Sequence, residues 1–268
     1  MLALAFPRVS RPVKPDVRLD TVTGSTGDDP TPGAPAATGP VDYGGFVRQV
    51  AAAQLAAWLP ESSGRILDLS AGCPALTELM LASGHEVLRA GPVRARPSGR
   101  LHPVEADTQE LSWLAPERLD AVVAEGSALS TALATEVTLD DLHRILRPGG
   151  RLLLAVDSLL SGLSQLARQG RWAELADVPS ADVVLIPRDD GRVTRCFWPE
   201  ELDGILTAAG FAVEWVRPRT VMTEDAVTQA LAIDPAQLPM LVRTELRLAE
   251  EHQGESVGAQ LVASAVRS

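Results

Sequence analysis

Apolar and polar residues follow two different periods along the chain, and these predict strands and helices from residue 41 onward. Apolar residues recur at three- and four-residue steps over 41–59, which predicts an amphipathic helix that ends at Pro60. Short apolar runs bounded by turn residues are typical of buried strands. The five such runs in the first part of the chain are 65–71, 86–91, 101–107, 119–126 and 151–158.

Helices are predicted between several of these strands. Pro74 in a first turn and Gly84 at an end mark a helix over 74–84. A second helix, over 138–150, is predicted to begin with Thr138 as its cap and to end in Pro-Gly-Gly. Alternating strands and helices favour an α/β fold, in which helices cover both faces of a doubly wound, mostly parallel sheet.

The regular alternation breaks after residue 158. The stretch 164–178 predicts a helix interrupted at Gly170, and 181–198 predicts a hairpin that turns at 189–191. We therefore expect 159–198 to be a cap or insert region, and two late strands joined by a longer excursion favour an antiparallel edge. The remaining predicted elements are a helix over 199–210, a strand over 211–220, a helix over 235–252 despite Pro239, and a strand over 259–268.

The first 40 residues differ in composition from the rest. The stretch 23–40 consists mainly of Gly, Pro, Ser and Thr and has almost nothing to bury, so it cannot offset the entropy of ordering. We expect a disordered tail over 1–40 and one domain over 41–268. A partner-binding or substrate-covering role for the tail stays open.

Charge and cysteine usage narrow the class of protein. The net charge is -11, which disfavours a nucleic-acid binder because such a protein needs a basic face. Cys73 and Cys196 form no CxxC pair and no metal-binding pattern, so we expect a reduced cytoplasmic protein without a metal site. No apolar run approaches the roughly 18 residues of a membrane span, so no membrane partner is expected. Lys14 is the only lysine, and this arginine-rich composition favours a bacterial origin.

The turn after the first predicted strand is the place to look for a ligand. In a doubly wound sheet, ligands bind outside the carboxyl ends of the strands, where the strand order reverses. The strand over 65–71 leads into a turn with three small residues, Ser70, Ala71 and Gly72, and then into a helix. Small residues at a helix N-terminus let a ligand come close to the backbone N–H groups.

Five blocks of the sequence resemble the class I, seven-stranded S-adenosylmethionine (SAM)-dependent methyltransferases over about 41–268. That family ends its first strand with hydrophobic-Asp-x-Gly-x-Gly-x-Gly; here Asp68 matches the acid and Gly72 the middle glycine, while Ser70 and Pro74 replace the outer two. The cofactor loop is therefore degenerate. The other matching blocks are 84–87, 141–154, 198–202 and 208–211. The last strand fits the family's seventh, which lies antiparallel between the fifth and sixth.

The resemblance implies SAM as the cofactor, although the degenerate loop leaves open weak or lost binding. It also implies a set of cofactor-binding residues. These are Asp68, Ser70, Ala71 and Gly72 in the first loop, Gly91 in place of the usual ribose-binding acid, Asp107 and Thr108 at the adenine, and Glu125 facing the same cleft.

The residues themselves also allow plainer roles. Asp68 can orient the loop without touching a ligand, Asp107 can cap a turn, and Glu125 can be a solvated acid on the rim. Tyr43 stands where family members often place an aromatic ring over the cofactor, or it simply packs. His143 is expected to be structural, and no histidine pairs with a Ser or Cys as in a hydrolase triad.

Three functions remain open. The first is a SAM-dependent methyltransferase with a small-molecule acceptor, whose catalytic residues stay unnamed because methyl transfer mainly requires alignment of donor and nucleophile. The second is a catalytically inactive relative that serves as a binding or regulatory module, in which case a protein partner is expected. The third, a nicotinamide oxidoreductase, lacks its G-x-G-x-x-G loop.

Overall fold

The computed structural model describes residues 41–70, 73–91, 97–132, 134–178, 181, 183–188 and 191–268. The predicted tail over 1–40 lies outside these residues. The helices are α1 (Tyr43–Trp58), α2 (Pro74–Ala82), α3 (Thr135–Ile145), α4 (Leu159–Arg168), α5 (Trp172–Asp177), α6 (Pro199–Ala208), α7 (Glu224–Ile233) and α8 (Leu238–Glu251), and a 3₁₀ turn (Pro235–Gln237) precedes α8. The strands are β1 (Arg65–Asp68), β2 (Glu86–Ala90), β3 (Leu101–Val104), β4 (Leu119–Ala124), β5 (Leu146–Asp157), β6 (Val184–Pro187), β7 (Val193–Cys196), β8 (Phe211–Arg219) and β9 (Gln260–Arg267).

Seven of these strands form one sheet in the order β3-β2-β1-β4-β5-β9-β8. Neighbouring strands from β3 to β5 are parallel, whereas β9 runs antiparallel to both β5 and β8. This arrangement confirms the predicted doubly wound, mostly parallel sheet, including the position of its antiparallel last strand. The strand order reverses between β1 and β4, so the carboxyl ends of those two strands flank the expected ligand site.

Helices pack on both faces of the sheet, as predicted. The period of two along β5 sends Leu152 and Leu154 into one apolar cluster and Leu153 into the other. The first cluster includes residues of α3 and α6, and the second includes residues of α1 and α2. The crossover between β3 and β4 (105–118) consists of turns and irregular backbone, without the helix that usually joins two parallel strands.

The prediction of a helix over 138–150 was wrong at both ends. It begins at Thr135, so Thr138 lies inside it, where its hydroxyl donates to the Ala134 carbonyl rather than capping the end. Its last predicted residues belong to the start of β5. Gly149 has a φ of +74°, and a Cβ at Gly150 would stand 2.8 Å from the Arg147 carbonyl oxygen, so both glycines serve a tight turn.

The insert over 159–198 contains α4, α5 and the β6–β7 hairpin. The two strands form a separate sheet instead of extending the main one, and they share an apolar cluster with α4. The predicted break falls at Gly170, whose φ is +67°. Residues 189 and 190 of the predicted turn lie outside the described residues.

A second insertion, between β8 and β9, was only partly predicted. It carries α8, as expected, but also α7, which the apolar period did not reveal. The signal was a cap: Thr223 accepts a hydrogen bond from the Ala226 N–H, and acidic residues occupy the first turn of α7. Both helices pack against α1 through one apolar cluster. Within the described residues, no helix combines the length and apolar character needed to cross a bilayer.

Candidate functional site

The carboxyl ends of β1 and β4 lie side by side, and each carries a buried acid. The strands are paired, and the chain beyond β1 stays attached because the Leu69 N–H donates to the Val123 carbonyl over 2.9 Å. Asp68 ends β1 and Glu125 follows β4, and both are almost fully buried. The fold therefore brings together two of the predicted site residues.

Asp68 holds the start of the first loop against α2. One carboxylate oxygen accepts the Ser70 N–H at 2.8 Å, and the other accepts the Thr77 hydroxyl at 2.6 Å. Burial raises the pKa of Asp68, while both hydrogen bonds oppose that rise. This geometry matches the interpretation of Asp68 as a loop-orienting acid.

Ser70 and Cys73 bracket the small-residue loop. The Ser70 hydroxyl is close enough to lower the pKa of Asp68, yet among the described residues it makes no hydrogen bond of acceptable geometry. Ala71 and Gly72, also predicted to bind the cofactor, lie outside the described residues. Cys73 precedes α2, and burial raises the pKa of its thiol, to which the charges of Glu125 and Asp68 also contribute.

Gly91 and Thr108 meet at the ends of β2 and β3. A Cβ on Gly91 would lie 4.0 Å from Thr108 Cγ2, and the Gly91 N–H donates to the Val104 carbonyl over 3.2 Å. The φ of Gly91 is +137°, a conformation that side chains disfavour, so glycine suits this position. Asp107 is exposed and accepts the Gln109 N–H at 2.9 Å, which is the turn-capping role. Among the described residues, its other carboxylate oxygen accepts no hydrogen bond.

The interpretation of Glu125 as a solvated rim acid was wrong. Its side chain is 4% exposed and receives two 2.7 Å hydrogen bonds from the guanidinium of Arg219, whose side chain is 2% exposed. Arg219 Nε also donates to Gln54 Oε1 of α1 at 2.6 Å. The three side chains form a network, which we call the Glu125–Arg219–Gln54 network. The ion pair is buried and Gln54 is half-buried, and together they join β4, β8 and α1.

Neither Arg219 nor Gln54 was predicted from the sequence to belong to the site. Arg219 ends β8, and the chain bends there because Thr220 has a φ of +60° and Gly258 lies against the Arg219 backbone. A Cβ on Gly258 would stand 2.4 Å from the Arg219 carbonyl oxygen, so only glycine fits. The partners are separated by 94 and 165 residues, and no local pattern reveals such pairs.

Helix α1 closes one side of this region. Tyr43 is partly buried and stacks on Phe46, with ring centroids 6.0 Å apart, so it packs with the apolar cluster of α1, α7 and α8. Glu245 of α8 is fully buried and accepts the N–H groups of Val221 and Met222 at 2.8 and 3.0 Å, which fixes the chain just after Arg219. His143 packs edge-on against Phe211, in agreement with the structural role expected for it.

Comparison with known proteins identifies the fold of this chain. No protein-family profile and no curated protein sequence matches the chain. A 1,6-didemethyltoxoflavin-N1-methyltransferase from Burkholderia thailandensis, solved with S-adenosylhomocysteine (SAH), matches with a TM-score of 0.52 and 20% identity over 83% of this chain and 78% of that one. A SAM-dependent methyltransferase from Mesorhizobium loti gives a TM-score of 0.52 and 19% identity over 80% and 96%.

Two more structures of the same fold extend this comparison. A SAM-dependent methyltransferase from Methanosarcina mazei matches with a TM-score of 0.50 and 17% identity over 79% of this chain and 95% of that one. A complex of a Haloferax volcanii protein with a methyltransferase activator gives a TM-score of 0.54 and 16% identity over 82% and 89%. The sheet order of this chain and these matches agree with the sequence resemblance. This chain has the class I SAM-dependent methyltransferase fold.

Proposed function

We propose that the chain is a SAM-dependent methyltransferase that acts on a small-molecule acceptor. The observation that carries the proposal is the shared edge of β1 and β4, where a small-residue loop begins beside two buried acids at the point of strand reversal. Ligands of doubly wound sheets bind at such edges. SAM supplies a methyl group that its sulfonium already activates, so the protein's task there is to hold and align.

The residues at this edge fit an adenosyl group. The Ser70 hydroxyl is buried near the Asp68 carboxylate but makes no well-aligned hydrogen bond among the described residues, and a buried polar group without one is costly unless a ligand satisfies it. At the far end of the site, beside Thr108, the exposed Asp107 uses one carboxylate oxygen in its turn; the other accepts no hydrogen bond within the described part of the chain, so it is open to a ligand. We assign the adenine end to Asp107 and Thr108, the ribose to the neighbourhood of Gly91, and the methionine end to Ser70, Ala71 and Gly72.

A binding or regulatory module without catalysis is the second candidate. Two observations favour it: Gly91 offers no carboxylate to the ribose hydroxyls, and the carboxylate of Glu125 is occupied by Arg219. One similar structure is a complex with a methyltransferase activator, so a protein partner is the corresponding proposal for this chain. The two candidates share the SAM site and differ in whether an acceptor is methylated.

The two cysteines provide a local test of the SAM site. Cys73 is partly exposed beside the loop, whereas Cys196 is buried and burial raises its pKa to about 12. We expect saturating SAH to slow the reaction of Cys73 with N-ethylmaleimide several-fold, because the ligand would cover the loop. The rates are followed by mass spectrometry at about pH 8.5, where a thiol with a raised pKa still reacts.

Cys196 is the internal control for this experiment, because its thiol reacts only when the structure opens. A ligand that merely stabilises the fold slows Cys196 and leaves the partly exposed Cys73 unchanged, whereas a ligand on the loop slows Cys73 as well. An unchanged Cys73 rate at millimolar SAH would contradict the proposed site.

A further inference from the structure

A polar hollow of about 540 Å³ lies at the carboxyl end of β5, between the main sheet and the insert. Its volume is in the range of small-molecule sites, roughly 300–1,000 Å³. The described side chains that line it are all polar or charged. They are Ser127, Thr131, Asp157, Gln165, Arg188, Arg192 and Thr194.

The hollow is built around an ion pair between the sheet and the insert. Asp157 ends β5 and has only 10% of its side chain exposed; one carboxylate oxygen accepts the Ser127 hydroxyl at 2.9 Å, and the other pairs with Arg188. Arg188 is fixed in turn, because its Nε donates to Thr194 Oγ1 at 2.8 Å and its Nη1 to Gln165 Oε1 at 3.1 Å. Side chains held in this way lose little freedom when a ligand binds, so the hollow is pre-organised.

Ser127 adds a second, independent sign of function. Its φ is +60°, a left-handed conformation that is strained for a residue other than glycine. Such strain persists where surrounding contacts enforce it and is concentrated at functional sites. Here the strained backbone directs a hydroxyl to Asp157, inside the hollow.

The unused hydrogen-bonding capacity defines the ligand. Gln165 accepts from Arg188 with its amide oxygen. Among the hydrogen bonds of the described residues, its two amide N–H groups remain as donors, and Arg188 keeps one N–H on each terminal nitrogen. Each carboxylate oxygen of Asp157 has room for a second hydrogen bond. A ligand that only contributes apolar surface would leave these groups unsatisfied, at a cost.

We propose that this hollow binds a small hydrophilic molecule, one that presents an N–H or O–H group to Asp157 and an acceptor oxygen or nitrogen to Arg188 and Gln165. Ser127 follows Glu125 by two residues, so the hollow adjoins the edge assigned to SAM. On the proposed function, the bound molecule is therefore the methyl acceptor, which makes a lipid or an apolar aromatic acceptor a poor fit.

Affinity-selection mass spectrometry tests the ligand class without any turnover. The protein is incubated with two defined libraries, one of amino acids, small amines and hydroxy acids, and one of medium-chain fatty acids and apolar phenols. We expect retained compounds from the first library alone, with dissociation constants then measured by calorimetry in the presence and absence of SAH. Binding confined to the second library, or to neither, overturns the inference.

Two variants on one helix turn locate the site. Gln165→Trp fills the hollow and should abolish binding of every retained compound, whereas Ser164→Trp, exposed on the same helix, should leave it unchanged. Asp157→Asn should weaken binding by roughly 10-fold or more, because a hydrogen bond to a charged group is lost. Equal binding by wild type and Gln165→Trp would overturn the placement.

The SAH affinity of Gln165→Trp separates this inference from the proposed function. We expect it to equal that of the wild type, because Gln165 lies outside the edge assigned to the cofactor. A wild-type protein that binds hydrophilic compounds but not SAH would contradict the proposed function and the acceptor role, while the binding site itself would stand.

Discussion

Replacement of Arg219 by methionine is expected to lower the free energy of unfolding by about 3–5 kcal/mol. The substitution leaves the Glu125 carboxylate buried without its two 2.7 Å hydrogen bonds, and an unpaired buried charge is among the costliest defects in a folded protein. It also releases Gln54 and with it a link to α1. Urea denaturation followed by circular dichroism measures the effect.

A double variant separates the lost pair from lost packing. Glu125→Leu with Arg219→Met removes both charges and is expected to restore most of the stability, because apolar replacements of a buried ion pair are often neutral or stabilising. Arg217→Met on the same strand is the matched control and should change stability by about 1 kcal/mol or less, since its 3.6 Å ion pair is with Glu250, whose side chain is 65% exposed. A single Arg219→Met variant as stable as the wild type would show that the pair contributes nothing.

Asp68→Ala is expected to weaken SAH binding by roughly 10- to 100-fold while the protein stays folded. The variant removes the acceptor of the Ser70 N–H and of the Thr77 hydroxyl, so the first loop loses its attachment to α2. A loop that must be ordered on binding costs affinity, because ordering entropy is then lost at that step. Calorimetric titration with SAH measures the change.

Asp68→Asn is the matched control for that experiment. Its amide oxygen can still accept the Ser70 N–H and its amide nitrogen can donate to the Thr77 oxygen, so the loop stays attached without the charge. We expect its SAH affinity to lie within about 5-fold of the wild type, a difference of roughly 1 kcal/mol. If Asn and Ala weaken binding equally, the charge itself contacts the ligand; if neither does, Asp68 has no role in binding.

The sheet was predictable because its strands are apolar runs with clear turn signals on either side. The run at 151–158 is buried on both faces of a parallel sheet, and this produces a continuous apolar stretch instead of an alternating one. The boundary between α3 and β5 was misplaced because the Pro-Gly-Gly sequence ends a helix and also serves a turn at the start of a strand. Helix α7 was missed since its cap, rather than its apolar period, carried the signal.

The candidate site was only partly predictable, because much of it depends on pairs that are distant in sequence. Asp68 could be placed from the motif around it, and its orienting role was among the alternatives. Glu125 looked like a surface acid because nothing near it in sequence is positively charged, yet its partner Arg219 lies 94 residues away. The Asp157–Arg188 pair spans an insert whose contact with the sheet has no local signature.

The Glu125–Arg219–Gln54 network links the proposed cofactor site to the insertion between β8 and β9. Arg219 leads directly into the insertion that carries α7 and α8, and those helices pack on α1. A buried ion pair seldom stabilises a protein more than apolar replacements would. Stability alone therefore does not explain the Glu125–Arg219 pair. On the proposed function, we infer that Glu125 acts through Arg219 and Gln54 to position α1 beside the cofactor site.

Calorimetric titration of the wild-type protein with SAH tests whether the chain binds this ligand, on which the proposed function depends. We expect saturable heat from one site with a micromolar dissociation constant, since the fold, the ordered start of the loop and the Asp107–Thr108 turn are all in place. Absence of binding at millimolar SAH, in a protein shown to be folded, would contradict the assignment of this edge to SAM and would leave the fold as a scaffold for another ligand or partner.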